Sequence, residues 1–398
     1  MTRIYLDHNA TTPTHPEVVK AMLPYYEKIY GNASSIHQFG QEARKAVDEA
    51  REKVASFIGA KPEEIVFTSG GTEADNFAIK GVAYKNEKKG RDPLNRACSG
   101  SGHIITSSIE HHAVLNPCKY LEEKGFKVTY LPVNEYGVVN LADINKAIIS
   151  ETILITIMHA NNEVGTIEPI EEIGKMAKEK GIIFHTDAVQ SVGKLKVNAG
   201  ELNVDLLSLS GHKIYGPKGI GALYIRKGTK IEPLILGGHH ERNKRAGTEN
   251  VPGIVGFGRA IEIASQDMQK ENKKIVNLRD KLWNGLRQKI DSIQLNGHPE
   301  KRTPNTLNVS FKFIEGESII LNLDLQGVAV SSGSACTSGL LESSHVLKAM
   351  GVDPATAQGS VRFSLGRDNT EEDIDYVLQV LPDIVSRLRE MSPLYRKN

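Results

Sequence analysis

Asp205-Leu-Leu-Ser-Leu-Ser-Gly-His-Lys213 is an apolar run that ends in a short polar turn with a lysine. It is one of seven short apolar runs, which lie near 65–68, 103–106, 127–131, 153–158, 182–186, 206–209 and 221–225. Several of these runs alternate little between apolar and polar residues, which is typical of strands covered on both faces. Helical patterns lie between many of them. This order predicts an α/β fold with a mostly parallel sheet and helices on both faces.

The pattern changes beyond about residue 260. A long helical stretch, roughly 258–290, leads into a strand near 306–311. The last helix is predicted to begin at Glu371 with Thr370 as its N-cap. Pro382 lies inside its apolar stripe and is predicted to kink it. We therefore predict a second, smaller α+β domain at the C-terminal end.

The length of 398 residues suits two domains. We expect a large domain over 15–261 and a small domain over 262–398, which the N-terminal segment 1–14 joins. The formal net charge of +1 implies no general attraction to nucleic acid or to an anionic membrane. No apolar run is long enough to span a membrane, and the first residues have no apolar signal core. We expect a cytoplasmic protein.

The chain has three cysteines, Cys98, Cys118 and Cys336. So small and odd a number argues against a disulfide framework. It also favours a reducing compartment. Cys336 lies in Ser331-Ser-Gly-Ser-Ala-Cys-Thr-Ser-Gly339, a run of small residues that cannot pack a core. Cys98 lies in the polar stretch from Asn86 to Gly102, which is predicted to be an exposed loop. We predict that Cys98 and Cys118 are not catalytic.

Lys213 follows an apolar strand, so it is placed at the edge of the sheet where open α/β folds bind ligands. A buried lysine loses proton affinity and can form a Schiff base, although a surface lysine after a strand is the commoner case. Asp187 ends another apolar strand. A carboxylate there could pair with the ring nitrogen of a pyridine cofactor, or it could cap a helix.

Thr68-Ser-Gly-Gly-Thr-Glu-Ala-Asp-Asn76 follows a strand and opens a helix. Backbone N–H groups and the helix dipole make such a turn an anion site, and the Thr72 hydroxyl can donate to a phosphate. The turn alone is a weak signal, because many strand–helix turns look alike. Together, the phosphate turn, the strand-end acid and the strand-end lysine predict pyridoxal phosphate as the cofactor.

Ten ordered stretches carry a resemblance that covers nearly the whole chain. They are Tyr5-Leu-Asp-His-Asn-Ala-Thr-Thr12, Gly31-Asn-Ala-Ser-Ser-Ile-His37, Phe67-Thr-Ser-Gly-Gly-Thr-Glu73, Glu110-His-His-Ala-Val114, Ala160-Asn-Asn-Glu-Val-Gly165, His185-Thr-Asp187, Ser210-Gly-His-Lys213, Arg245-Ala-Gly-Thr-Glu-Asn250, Ser332-Gly-Ser-Ala-Cys336 and Val361-Arg-Phe-Ser-Leu-Gly366. With them the chain resembles the NifS/IscS-type (group I) cysteine desulfurases. The resemblance implies the aspartate-aminotransferase-like fold of pyridoxal-phosphate enzymes (fold type I), with a seven-stranded sheet.

The resemblance also implies a role for each matching residue around the cofactor. Lys213 would form the Schiff base, and His111 would stack on the ring and help move protons. Asp187 would pair with the ring nitrogen, and Gln190 would donate to the ring hydroxyl. The cofactor phosphate would be held by residues of the two strand-end turns: Gly71, Thr72, Ser210 and His212.

The remaining roles concern substrate and partners. Asn162 and Arg362 would bind the carboxylate of L-cysteine, and Cys336 would receive its sulfur as a persulfide. Thr248 would reach the phosphate in the neighbouring subunit, so the resemblance implies a homodimer. It also implies an iron–sulfur scaffold or another sulfur-acceptor protein as partner. No metal site is implied, although Cys336 could contact an iron–sulfur cluster during transfer.

The chain departs from the family in several places. Asn243 stands where the family more often has glycine, and Glu342-Ser-Ser344 lacks a proline that often follows the cysteine run. The chain lacks the longer tail of many housekeeping members, which favours the nitrogen-fixation type.

Two rival functions stay open at this point. One is another enzyme of the same fold, such as an aminotransferase or a selenocysteine lyase. The other is a catalytically silent scaffold. An aminotransferase needs no thiol in the position of Cys336, and a silent scaffold needs none of the catalytic positions filled.

Overall fold

The main sheet has the seven strands that the apolar runs predict. The computed structural model describes residues 3–87, 102–332 and 344–395. These residues form twelve strands: β1 Ile4–Tyr5, β2 Ile65–Thr68, β3 His103–Ser107, β4 Lys127–Leu131, β5 Thr152–Thr156, β6 Ile183–Asp187, β7 Leu206–Ser210, β8 Gly221–Ile225, β9 Ile293–Asn296, β10 Thr306–Phe311, β11 Val328–Ala329 and β12 Ser360–Ser364. The main sheet has the order β2-β8-β7-β6-β5-β3-β4, and only β8 runs against its neighbours. The predicted fold class is confirmed.

Helices cover both faces of this sheet and build much of the smaller part. The α-helices are α1 Pro16–Met22, α2 Pro24–Glu27, α3 Gln38–Phe57, α4 Gly71–Asn86, α5 His112–Glu123, α6 Leu141–Ala147, α7 Ile170–Lys180, α8 His240–Asn243, α9 Val251–Lys289, α10 Gly316–Leu325, α11 His345–Ala349, α12 Pro354–Gln358 and α13 Glu371–Met391. Neighbouring residues of β7 show that both faces are covered. Leu206 packs into the core on one face and Leu207 into the core on the other, so both are excluded from water.

The long helix α9 begins at Val251, seven residues before the predicted start near 258. Its first turns contain glycines, which are poor helix formers and hide the helix from a sequence reading. Close packing explains them. A Cβ at Gly256 would lie 2.6 Å from Sδ of Met22, and one at Gly258 would lie 2.8 Å from Cβ of Ala50. Glycine therefore lets α9 approach α1 and α3.

The smaller part is built on an antiparallel sheet of β9, β10 and β12. The N-terminal strand β1 pairs in parallel with β11, and Ile4 and Leu6 lie in the core of this part with Phe311 and Phe363. The N-terminal segment thus crosses from the large sheet to the smaller core. The division between 261 and 262 remains a prediction.

Helix α13 begins as its sequence predicts. Thr370 Oγ1 accepts a hydrogen bond from the backbone N–H of Asp373, and Asp373 Oδ2 accepts one from the N–H of Thr370. This reciprocal pair is a capping box. The helix continues past Pro382 to Met391. Within residues 3–87, 102–332 and 344–395, no helix combines the length and the apolar character that a bilayer crossing requires.

Candidate active site

Three strand ends bring the predicted site residues to one edge of the main sheet. Strands β2, β6 and β7 run in the same direction and end at Thr68, Asp187 and Ser210. A single turn of 3₁₀ helix, Gly211–Lys213, follows β7 and carries the lysine. This is the edge at which open α/β sheets bind their ligands.

The glycine turn after β2 leads directly into α4, whose first residue is Gly71. A Cβ at Gly71 would lie only 2.7 Å from Cγ2 of Val189, which follows β6, and 3.7 Å from Cβ of Ser210, so glycine lets this turn lie close to the segment after β6. The Ser210 hydroxyl is buried and has no hydrogen-bond partner among the described residues. Thr72 is exposed beside it. A free N-terminal turn of a helix and an unpaired buried hydroxyl form a site for an anion.

Asp187 is buried at the end of β6. Its Oδ1 accepts a hydrogen bond of 2.9 Å from the backbone N–H of Val189. A turn follows, so Asp187 does not cap a helix, which was one of its two possible roles. Burial raises the pKa of this carboxyl to about 6, against the lowering effects of the Val189 bond and of Lys213. Asp187 can therefore hold either charge state near neutral pH, depending on the group placed against it.

A fully buried polar network lies behind Asp187. His185 Nε2 is 3.0 Å from Ser208 Oγ and 3.6 Å from Asp75 Oδ1, and His185 Nδ1 is 2.8 Å from Thr156 Oγ1. Burial raises the pKa of Asp75 well above its usual value, and the charge of Asp187 raises it further. Burial lowers the pKa of His185 to about 3, so this imidazole is neutral. The network gives Asp187 a rigid, mostly uncharged support.

Lys213 points at the N-terminal segment. Its Nζ donates to the backbone oxygens of Asn9 and Ala10, at 2.5 Å and 2.8 Å. His212, next to it, has Nδ1 at 3.0 Å from Thr11 Oγ1. Burial, followed by the charges of Lys213, Lys218 and Lys194, lowers the pKa of His212 to about 4, so His212 is neutral. The segment from Asn9 to Thr11 thus forms one wall of the site.

His111 is the N-cap of α5, and its Nδ1 accepts a hydrogen bond of 3.1 Å from the backbone N–H of Ala113. Burial lowers the pKa of His111 to about 4, and the nearby Lys213, His112 and His345 act in the same direction. A neutral imidazole that accepts at Nδ1 carries its proton at Nε2. His111 therefore presents an N–H donor to the site at neutral pH.

Arg362 and Asn162 lie together, as predicted for a substrate-carboxylate site. Arg362 is buried on β12, and its Nη1 donates to the backbone oxygen of Asn162 at 3.0 Å. Its Nη2 forms an ion pair with Oδ1 of Asp7 at 2.7 Å. Arg362 Nε is buried and has no partner in the part of the chain that the structure describes. The guanidinium is thus held in place and keeps donors for an incoming carboxylate.

Asn9 links the two halves of the site, and the sequence analysis gave it no role. Its backbone oxygen accepts from Lys213, and its Nδ2 donates to the backbone oxygen of Asn162 at 3.1 Å and to Thr306 Oγ1 at 2.9 Å. Its Oδ1 accepts a hydrogen bond of 2.9 Å from Nδ2 of Asn305. In the sequence, the only signal for Asn9 is its place in the stretch from Tyr5 to Thr12 that resembles the family.

Thr248 lies on the exposed segment between α8 and α9. Arg245, three residues before it, binds Glu73 in the first turn of α4, with Nε 2.9 Å from Oε1. Asn243 adopts φ +63°. Asparagine tolerates this left-handed conformation better than most residues, which explains why it can replace the family's glycine.

Two cysteines fall outside the described residues. These are Cys98 and the predicted sulfur acceptor Cys336, along with most of the predicted exposed loop and of the small-residue run. Cys118 is fully buried on α5, and burial raises its thiol pKa above the usual range. A thiol of this kind is unreactive. In the described parts of the chain, no group of three or more His, Cys, Asp or Glu side chains could hold a metal ion.

The residues present fit pyridoxal phosphate. The unpaired Ser210 hydroxyl and the α4 N-terminus suit a phosphate, and the Gly71 turn has no side chain to obstruct it. The Asp187 carboxylate has Oδ2 without a hydrogen bond among the described residues. Lys213 follows the same strand as Ser210, so an amine, an acid and an anion site lie at one edge of the sheet.

Known proteins were compared with the chain as a whole. The Aminotransferase class-V family matches residues 4–377, so the chain belongs to this family. A protein named cysteine desulfurase IscS from Dictyoglomus turgidum is 57% identical over 98% of this chain and 96% of its own length. A solved structure named NifS-like protein is 44% identical, with a TM-score of 0.89 over 97% of this chain and 100% of its own. Another, described as SspA in complex with cysteine, is 39% identical, with a TM-score of 0.80 over 93% of this chain and 100% of its own.

Within the class-V aminotransferases, these similarities make the chain a member of the cysteine desulfurases. Both the IscS name and the NifS-like name occur among its relatives. The predicted resemblance is thereby confirmed, while the individual site roles remain predictions.

Proposed function

We propose that the protein converts L-cysteine to L-alanine and transfers the sulfur to Cys336 as a persulfide. From there the sulfur passes to an acceptor protein, for assembly of iron–sulfur clusters or of another sulfur-containing cofactor. The observation that carries the proposal is the convergence of Lys213, Asp187 and the unpaired Ser210 hydroxyl at one sheet edge, in a chain 57% identical to a named cysteine desulfurase.

Pyridoxal phosphate would be held by residues on three sides of the site. Gly71, Thr72, Ser210 and His212 would hold its phosphate, Asp187 and Gln190 its ring, and Lys213 its aldehyde. When bound, the cofactor acts as an electron sink that stabilises negative charge at the substrate Cα. Asp187 supports this role, because its carboxylate keeps a proton on the ring nitrogen.

The chain's own groups divide the remaining work. The guanidinium of Arg362 and the amide of Asn162 bind the substrate carboxylate. Lys213 Nζ, in its neutral form, accepts the proton from the substrate Cα. His111 would lie against the ring of the bound cofactor, with its Nε2–H as a donor. The nucleophile is the thiolate of Cys336, so its pKa controls the rate of attack.

The sulfur transfer balances without an external oxidant. The Cys336 thiolate attacks the substrate sulfur, an S–S bond forms, and the substrate C–S bond breaks. The electron pair of that bond stays with the substrate carbon, which takes a proton and leaves as alanine. A reactive thiol of this kind suits the reducing cytoplasm, where thiols stay reduced.

The exposed position of Thr248 and nearby apolar surface support a homodimer. Leu23, Tyr26, Tyr30, Ile36 and Phe39 are large and exposed within one short stretch, with Ile36 at 93%. Leu236 is also exposed. The backbone oxygen of its neighbour Ile235 accepts a hydrogen bond from the N–H of Ala246, two residues before Thr248. Apolar surface of this extent is typical of a subunit interface. Thr248 would then reach the cofactor phosphate of the neighbouring subunit.

The direct test measures alanine and sulfide released from L-cysteine by the purified, cofactor-loaded protein in the presence of a thiol reductant. We expect equal amounts of both products. An amino-group transfer to a keto acid without sulfide would instead support the aminotransferase alternative, and no product at all would contradict the proposal.

A further inference from the structure

A second lysine, Lys194, lies close to Lys213 and has no role in the scheme above. It sits in the turn region after β6, and it lines a cavity of about 40 Å³ behind Lys213. The charged or titratable groups around the same cavity are His8, Lys213, Tyr215, Glu271 and Arg367. Among the described residues, the hydrogen bonds of the Lys194 ammonium go to protein groups.

The strongest of these contacts is with Gln190. Lys194 Nζ donates to Gln190 Oε1 at 2.8 Å and to Asn9 Oδ1 at 3.4 Å. The Gln190 Nε2 donates to the backbone oxygen of Asn9 at 3.0 Å. Gln190 is buried, so water competes little for the hydrogen bonds of its amide.

With Lys194 in its ammonium form, these bonds allow one orientation of the Gln190 amide. An ammonium group has only donors and a carbonyl oxygen only accepts. If the amide were flipped, its NH₂ group would face the Lys194 ammonium and its oxygen would face the Asn9 carbonyl. Both contacts would be repulsive. In the observed orientation, one Nε2 hydrogen is used by Asn9 and the other remains available.

The charge of Lys194 adds to the effect. A cation at the amide oxygen polarises the amide and makes its N–H a stronger donor. Burial, followed by the positive charges of Lys213 and Arg362, lowers the pKa of Lys194 to about 7. The contact with Gln190 therefore lies in a region that is already rich in positive charge.

We propose that Lys194 is a positioning residue: it holds the Gln190 amide so that its second N–H is available to the ring hydroxyl of bound pyridoxal phosphate. The proposal rests on the cofactor assignment made under the proposed function. Its consequence is electronic. A donor at the ring oxygen, and a positive charge behind it, both lower the proton affinity of the nitrogen that joins Lys213 to the cofactor.

The test is a pH titration of the visible absorption of the cofactor-loaded protein without substrate. In Lys194→Met, the midpoint should move to higher pH by about 1 unit, the scale of a neighbouring-charge effect. Lys196→Met is the matched control, because Lys196 is exposed and pairs only with Glu201 among the described residues. The control midpoint should equal that of the wild type.

A second pair of variants tests whether Lys194 acts through Gln190. In a Gln190→Leu background, Lys194→Met should shift the midpoint by less than half as much as it does alone. Equal shifts in both backgrounds would mean that the charge acts through space, and would overturn the positioning role. If Lys194→Met does not fold, Lys194→Gln keeps a donor without the charge and should give a smaller shift in the same direction.

The outcomes separate this inference from the proposed function. A wild-type protein that shows no visible band with pyridoxal phosphate would contradict the cofactor assignment itself. A normal wild-type band with an unmoved midpoint in the Lys194 variants would overturn the role of Lys194 alone.

Discussion

Truncation of Arg362 to alanine should weaken the binding of L-cysteine and spare the binding of the cofactor. Arg362 is held by one ion pair to Asp7 and one bond to the backbone oxygen of Asn162, and its Nε has no partner. An incoming carboxylate can therefore gain charge-assisted hydrogen bonds from a guanidinium that is already oriented.

The expected loss follows from these contacts. Removing one partner of a buried, hydrogen-bonded charge pair costs about 2–5 kcal/mol. At about 1.4 kcal/mol per factor of ten, this corresponds to roughly 30- to 5,000-fold weaker cysteine binding. Part of the loss comes from Asp7, whose carboxylate would lose Arg362 as its ion-pair partner.

The assay titrates cysteine into the cofactor-loaded variant and follows the change in visible absorption. Arg389→Ala is a suitable control, because Arg389 is equally buried and pairs with Asp291 in the smaller part of the molecule. It should lose stability without losing cysteine affinity. Unchanged cysteine affinity in Arg362→Ala, or equal losses in both variants, would refute the carboxylate role.

Four further predictions test other parts of the scheme. Lys213→Ala should lose the visible band and all turnover; a lysine adduct that borohydride still traps in this variant would contradict the assignment. Cys336→Ser should bind the cofactor and respond spectrally to cysteine but release no alanine catalytically, and wild-type turnover would rule the mechanism out. The protein should sediment as a homodimer, and Thr248→Ala should bind the cofactor more weakly; a fully active monomer would exclude both. Burial raises the pKa of Glu168 to about 8, so its neutral form contributes stability that is complete below its usual pKa and is lost as pH rises through 8. Glu168→Gln should therefore show a smaller drop in melting temperature between about pH 6 and 9 than the wild type, and parallel drops would count against this reasoning.

Strand-end chemistry could be read from the sequence because it is local. Asp187 and Lys213 each follow an apolar run, and parallel strands bring such ends to one edge whatever the rest of the chain does. The anion site at Gly71 is local in the same sense, since it needs only a strand, a glycine turn and a helix. Its Ser210 hydroxyl comes from the end of a second strand.

Contacts between distant segments could not be predicted from local sequence patterns. Asn9 meets Lys213 across 204 residues and Gln190 across 181, and neither position has a local pattern that announces the pairing. Lys194 looks like an ordinary lysine in a turn, because its role depends on which atom of Gln190 it faces. The start of α9 was missed for a similar reason, since its glycines are explained only by the helices that pack against them.

The position of the first strand has a consequence for the order in which the protein can be completed during synthesis. The strand β1 pairs with β11, and Asp7 and Asn9 bind Arg362 and Ser364 across 355 residues. At about 5–20 residues per second, the first strand would wait roughly 20 to 70 s for these partners to leave the ribosome. Until then the main sheet can form, but the wall against Lys213 cannot be fixed in place. A nascent chain should therefore gain its large core well before it can hold its cofactor tightly.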